Sequence, residues 1–252
     1  MKALSSQKYF LLSCFVLSVI IAACGPNVSE QTDGPFEYTT PESKGLIADS
    51  LTNIDDLFNL ALEDEWLAGA VALVAVDGSI VYEKAFGYRN ISEKDSMETT
   101  DIFRIASMSK PITSLAILQL QEAGKLNFDD PLSKYIPEFA NPQVLDSINP
   151  LDSNYTSTPA SQEITIHHLL THTSGISYGF ADTTMNKLYA KAGIIDLTTL
   201  RPVTLEENIA KLAQLPLKHE PGERWSYGLS IDVLGRVVEV ASGMPFDQYL
   251  EQ

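Results

Sequence analysis

Cysteine is nearly absent from this sequence. The 252 residues hold two, Cys14 and Cys24, both close to the start. The rest of the chain has no thiol pair, which excludes a disulfide framework and a thiolate metal site there. Basic residues are also scarce, 17 against 33 acidic, for a formal net charge of −16. Nucleic acids are bound by neutralising phosphates with Lys and Arg, so that class of partner is excluded. No apolar run reaches the roughly 20 residues that a membrane-spanning helix needs. Histidine occurs at four positions. His168 and His172 stand four apart, but no Glu follows His168 as the helical zinc-hydrolase pattern requires. Structural roles are therefore expected for His167, His168 and His172. No metal or organic cofactor is expected, and no internal repeat is visible. An α/β-hydrolase triad on a nucleophile elbow is not expected either.

The N-terminus reads as an address. Lys2 and Lys8 precede an apolar run from Phe10 to Ala23, about fourteen residues and the length of a signal peptide's hydrophobic region. Residues 1–23 are read as that signal. Ile21-Ala22-Ala23-Cys24-Gly25 resembles the bacterial lipobox, which implies that Cys24 carries lipid. More than one acyl chain there gives stable anchoring. Residues 24–40 are polar, hold Pro26, Gly34 and Pro35, and read as a lipidated tether. Residues 41–252 remain for one folded domain. The expected location is the bacterial cell envelope, with the membrane engaged through the lipid anchor only.

Hydrophobic spacing predicts the elements. Ser50 to Trp66 carries apolar residues at Leu51, Ile54, Leu57, Phe58, Leu60, Ala61 and Leu62, an amphipathic helix. Val71–Val76 and Ser79–Phe86 flank Asp77-Gly78, a hairpin signal because both turn residues need positive φ. Ile105 to Ala123 predicts a largely apolar helix, buried on most sides and stopped by Gly124. Residues 141–162 are rich in Pro, Ser, Asn and Thr and predict a loop with little regular structure. Short helices are expected at Ile164–Leu170, Thr204–Leu215 and Ser230–Ala241, the last capped by Ser230. Another starts at Pro245. One hairpin is too little sheet for these helices to cover, so the chain is expected to be an N-terminal fragment with further strands beyond residue 252.

The chemistry concentrates in Ser107-Met108-Ser109-Lys110. Residues three apart share a helix face, so the serine hydroxyl and the lysine amine can meet. A serine attacks only when a neighbouring base takes its proton. Lysine can serve if burial and a helix N-terminus lower its pKa. Pro111 is tolerated only near a helix start, which puts Ser107 at the mouth of the 105–123 helix, where backbone amides can stabilise an oxyanion. A second Ser-x-x-Lys, Ser5-Ser6-Gln7-Lys8, lies inside the signal and is a chance match.

Phe103-Arg104-Ile105-Ala106-Ser107-Met108-Ser109-Lys110-Pro111 resembles the active-site helix of the β-lactamase-related serine hydrolases. That family includes class C β-lactamases, D-Ala-D-Ala carboxypeptidases and β-lactamase-like esterases. Leu169-Leu170-Thr171-His172-Thr173-Ser174-Gly175 and Pro221-Gly222-Glu223-Arg224-Trp225-Ser226-Tyr227 resemble two further family blocks, in the family's order. The resemblance implies an α/β (α+β) fold of the β-lactamase/transpeptidase type. In such a fold an antiparallel sheet is flanked by helices, with a mostly helical subdomain inserted. It also implies that Tyr227 faces Ser107 and Lys110 as a proton shuttle. Tyr178 and Trp225 are candidates for binding substrate, and Asp232 is read as supporting a helix cap.

Where the family's β-lactamases read Tyr-x-Asn, this chain has Tyr227-Gly228-Leu229. Leucine cannot hydrogen-bond a substrate amide. The expectation is therefore an esterase acting through an acyl-enzyme on a small-molecule ester or amide. A β-lactamase or D-Ala-D-Ala carboxypeptidase is the alternative, and a non-catalytic penicillin-binding-type sensor the alternative of another class. The family's strand motif, Lys-Thr-Gly or His-x-Gly, is not found in the chain.

Overall fold

The computed structural model describes residues 36–149 and 151–252. Cys24 and the segment expected to be a signal peptide lie outside the described residues. Two compact units divide at Phe103/Arg104.

In the first unit, helix α1 (Ala48–Glu63) accompanies a small sheet. Strand β1 (Glu37–Tyr38) runs parallel to β3 (Ser79–Asn90), and β2 (Gly69–Val76) and β4 (Asp95–Ser96) pair antiparallel with β3. The expected hairpin is present. Val76 pairs with Ser79, and Asp77 and Gly78 take φ of 47° and 74°, the two left-handed residues that a tight primed turn demands. Glu37 and Tyr38, read from sequence as the end of a tether, belong to the sheet instead. Phe58 of α1 stacks on Phe86 of β3 at 4.9 Å. Asp55 accepts from Tyr82 and Lys84, each at 2.8 Å.

The second unit is mostly helical, as the family resemblance implied. Its helices are α2 (Ser109–Glu122), α3 (Ile166–Leu170), α4 (Thr183–Ala192), α5 (Leu205–Leu212), α6 (Ser230–Ser242) and α7 (Phe246–Leu250). The centre is α6: α2, α3, α5 and α7 all pack on it, and Val233, Leu234, Val237 and Val238 are fully buried. Two of these helices carry complete capping boxes, Thr165 with His168 and Thr204 with Glu207, which satisfy amide groups left free by the first turn.

The structure departs from four sequence expectations. The 105–123 segment is a 3₁₀ turn (Ala106–Met108) followed by α2, and only one side of α2 is buried, through Thr113, Ala116, Ile117 and Leu120. Leu115 and Leu118 are exposed. Ser230 does not cap α6; Leu229 stands at that position, and Ser230 is buried with its hydroxyl 2.9 Å from that of Ser174. Residues 141–162 contain a hairpin, β5 (Gln143–Ile148) and β6 (Tyr155–Pro159). Polar composition concealed it, but Leu217 supplies a further backbone partner, accepting from Leu145 and donating to Gln143. Helix α4 was not anticipated. Asp182 caps it by accepting from the amides of Thr184 and Met185, and Gly193 ends it at φ 67°.

Candidate active site

All the residues of the site belong to the second unit. Ser107 lies in the 3₁₀ turn immediately before α2, and its neighbour Ala106 has φ 46°. A left-handed alanine costs roughly 1–3 kcal/mol and persists only where surrounding structure imposes it. The turn lifts Ser107 into an exposed position while Lys110 remains one turn away. Lys110 Nζ donates to Ser107 Oγ at 3.2 Å. Tyr227 donates its phenolic proton to the same oxygen at 2.8 Å. The three residues expected to act together are brought together.

The loop carrying Tyr227 is fixed by close approach. A Cβ on Gly228 would stand 2.3 Å from the Ile176 carbonyl oxygen and 2.6 Å from Ser177 Cα. Only glycine lets the 227–229 backbone lie against the 176–178 backbone, which seats Tyr178 beside Tyr227 with ring centroids 5.4 Å apart. Ser226 anchors the other side. Its amide donates to the His172 carbonyl, and its hydroxyl lies 2.9 Å from Nε2 of His219. His219 is buried, with Nδ1 2.8 Å from the Glu220 carbonyl, so Nδ1 carries the proton and Nε2 accepts from Ser226.

Electrostatics alters the role expected of Lys110. Burial pulls its pKa down, but interactions with the phenols of Tyr227 and Tyr178 outweigh that, and the net shift is upward. Tyr227 moves the other way: its contacts with Lys110 and Ser107 hold the phenol below the usual tyrosine range. Lys110 is thus the resident cation and Tyr227 the group whose proton is loosened. Lys110 Nζ sits 4.8 Å from the centroid of the Tyr227 ring and 5.5 Å from that of Tyr178. The amides of Met108 and Ser109 are spent on the carbonyls of Ile105 and Ala106, so they are not the oxyanion donors that the helix mouth led one to expect.

The matching family model is Beta-lactamase, over residues 54–252. The chain belongs to this family. Its beta-lactamase relatives include Esterase EstB of Burkholderia gladioli, 41% identical over 206 residues that make up 81% of this chain and 49% of that protein. Lovastatin esterase of Penicillium rubens is 34% identical, covering 79% of this chain and 49% of the relative. Among solved structures, EstCE1, a hydrolase with promiscuous acyltransferase activity, superposes with a TM-score of 0.68 at 32% identity, over 84% of this chain and 50% of that one. The chain therefore spans about half the length of the curated relatives it matches. The structural match bears out the expected fold class.

At the third position of the block that in the family's β-lactamases reads Tyr-x-Asn, the Leu229 side chain is 1% exposed and belongs to the core. It carries no polar atoms and does not line the cavity beside Ser107. Tyr178 lines a cavity beside Ser107. Trp225 does not line it; it is largely exposed and stacks on Tyr227 at 5.9 Å with a 17° interplanar angle. His168 accepts from the Thr165 amide, the structural role expected.

Sequence reading missed several things. His172 packs its ring 5.0 Å from that of Tyr227, with Nδ1 buried and unpartnered. Asp232, in the first turn of α6 as expected and bonded to its own amide, also lines the cavity with Ser107 and Lys110. The pairing of His219 with Ser226 carried no periodic signal at all. A Gly-x-Ser-x-Gly match also went unnoticed: Gly175-Ile176-Ser177-Tyr178-Gly179. Its serine is 2% exposed. The Ser177 hydroxyl meets only the Tyr178 carbonyl, at 3.4 Å, so it forms no nucleophile elbow. Among the described residues no group of His, Cys, Asp and Glu is arranged to hold a metal.

Proposed function

We propose that the protein is a serine esterase working through an acyl-enzyme on Ser107. One observation carries the reading: Tyr227 and Lys110 converge on Ser107 Oγ at 2.8 and 3.2 Å. In the resting arrangement both donate to that oxygen. Once Tyr227 has lost its proton, stabilised as phenolate by the Lys110 ammonium, the bond reverses and Ser107 donates to Tyr227.

The reaction then follows. The Ser107 O–H bond breaks, its proton passes to the Tyr227 oxygen, and Oγ bonds to the ester's carbonyl carbon. The backbone N–H of Ser107 is the oxyanion donor we assign within this chain. As the tetrahedral intermediate collapses, the bond to the alcohol oxygen breaks and that oxygen takes the proton from Tyr227. Water then attacks the acyl carbon and gives its proton to Tyr227; the Ser107 Oγ–carbon bond breaks, Oγ takes that proton from Tyr227, and the acid leaves. The esterases among the relatives and the buried Leu229 support an ester over a β-lactam or a D-Ala-D-Ala peptide.

A fluorophosphonate probe tests the assignment. Labelling of the full-length protein is expected to vanish in Ser107→Ala and persist in Ser109→Ala. Turnover of p-nitrophenyl esters should exceed that of nitrocefin. The opposite order overturns the esterase reading, and an acyl burst without later turnover overturns catalysis in favour of a sensor.

For location, we propose an exported lipoprotein anchored through Cys24, supported by the lipobox-like Ile21-Ala22-Ala23-Cys24-Gly25. Metabolic labelling with a radioactive fatty acid should mark the protein and be lost in Cys24→Ser. Labelling that survives the substitution removes this proposal.

A further inference from the structure

Beside Ser107 and Lys110 the second unit forms an open-mouthed cavity of about 450 Å³, within the size range of small-molecule sites. Its apolar wall comes from Phe180, Ile195, Leu197, Leu205, Ile231 and Phe246. At Gly235, which also lines it, an added Cβ would come within 3.2 Å of Leu205 Cδ1 and 3.8 Å of the Phe246 ring. The missing side chain is thus part of the space.

The lining holds one cation and two carboxyl groups. The cation, Lys110, is bonded to Ser107 and lies over the two phenols, and its charge also acts on Asp232. The carboxyl groups are Asp196 and Asp232. Asp196 Oδ2 accepts from the Phe180 amide at 3.2 Å. Asp232 stands in the first turn of α6 with its carboxyl bonded to its own amide; among the described residues it has no ion pair, and burial raises its pKa while the Lys110 charge opposes that rise. A carboxylate entering an apolar cavity beside these groups would lose its hydration and gain repulsion.

The two reaction steps decide which half of an ester belongs here. The alcohol must leave and be replaced by water, whereas the acyl group stays bonded to Ser107 throughout. A largely apolar space beside Ser107 is better filled by the part that remains.

We propose that this cavity holds the acyl group, and that Asp232 makes it select neutral or amine-bearing acyl chains over carboxylate-bearing ones. The inference rests on the acyl-enzyme reading above and adds the substrate class.

Three p-nitrophenyl esters of equal acyl length test it on the full-length protein: the hexanoate, the 6-aminohexanoate and the monoester of adipic acid. The expected kcat/KM for the adipate is at least tenfold below that of the hexanoate, with the 6-aminohexanoate not below the hexanoate. In Asp232→Asn, the hexanoate-to-adipate ratio should fall at least fivefold. Equal use of adipate and hexanoate by the wild type overturns the proposal without needing the variant. A ratio unchanged in an Asp232→Asn protein that still labels with fluorophosphonate overturns the role of Asp232. Failure of the wild type to label at Ser107 is a different result, removing the hydrolase reading and this inference with it.

Discussion

The phenolic oxygen of Tyr227 lies 2.8 Å from Ser107 Oγ although 120 residues separate them in the chain. In the mechanism we propose, the contact gives the serine its acid–base partner. Removing that partner alone is the most direct probe. Tyr227→Phe keeps the ring and its stacking on Trp225 but loses the proton carrier. We expect kcat to fall by about 10²- to 10⁴-fold, the usual worth of a positioned acid–base group, with KM changed little. Steady-state kinetics on a p-nitrophenyl ester reads both.

The opposed shifts of Lys110 and Tyr227 give a signed pH dependence. Tyr227 is held below the usual tyrosine range chiefly by Lys110, so the phenolate forms, and kcat/KM rises, below the ordinary pKa of about 10. Lys110→Met removes the cation. The alkaline-going limb of the profile should then move to higher pH. A limb that stays in place would mean that Lys110 does not set the proton affinity of Tyr227.

Gly228→Ala places a methyl against backbone, 2.3 Å from the Ile176 carbonyl oxygen, and neither segment has a flexible side chain to give way. We expect a loss of about 1–3 kcal/mol in unfolding free energy, the scale of overpacking. Activity should fall further than stability, because the displaced loop carries Tyr227. Urea denaturation and kinetics on the same preparation separate the two.

His172 offers a test on stability. Burial, and secondarily Lys110, push its pKa below the ordinary 6.5. The unfolded chain therefore binds this proton more readily than the folded one. The contribution is fully present above pH 6.5 and is lost as pH falls through the lowered folded value. His172→Phe should flatten the decline of the urea midpoint over that window relative to wild type. Since Nδ1 has no partner to lose, the variant should cost little stability at pH 8. A large loss there would show that the imidazole nitrogens are bonded after all.

Asp182 joins two roles, capping α4 and pairing with Lys218 at 2.6 Å. Asp182→Ala is expected to destabilise by about 1 kcal/mol, the typical worth of an N-cap, measured as a shift in the urea midpoint.

Some of this was legible in the residues. The Asp77-Gly78 turn could be read because a two-residue hairpin loop needs left-handed residues and tolerates few others. Ser107 and Lys110 could be paired because helix periodicity places i and i+3 on one face. Helix α4 was missed although Asp182 and Gly193 mark its ends, since its polar Thr, Asn and Lys content hides a weak apolar face. The β5–β6 hairpin was missed because part of its pairing comes from Leu217, far along the chain. Asp232 was read as cap support because a first-turn carboxylate usually acts on its own helix; that it also lines a cavity depends on residues far along the chain.

By itself, then, the sequence determined the local matters: the turn residues, the pairing of Ser107 with a lysine one turn on, and the order of the family's blocks. Tertiary structure decided that Tyr227 meets Ser107 beside Lys110, which glycine a neighbouring backbone requires, and what lines the space beside Ser107. The reason is range. Backbone conformation depends on residues a few positions away, while proton affinity and cavity shape depend on whichever groups folding brings within a few ångströms, however distant along the chain.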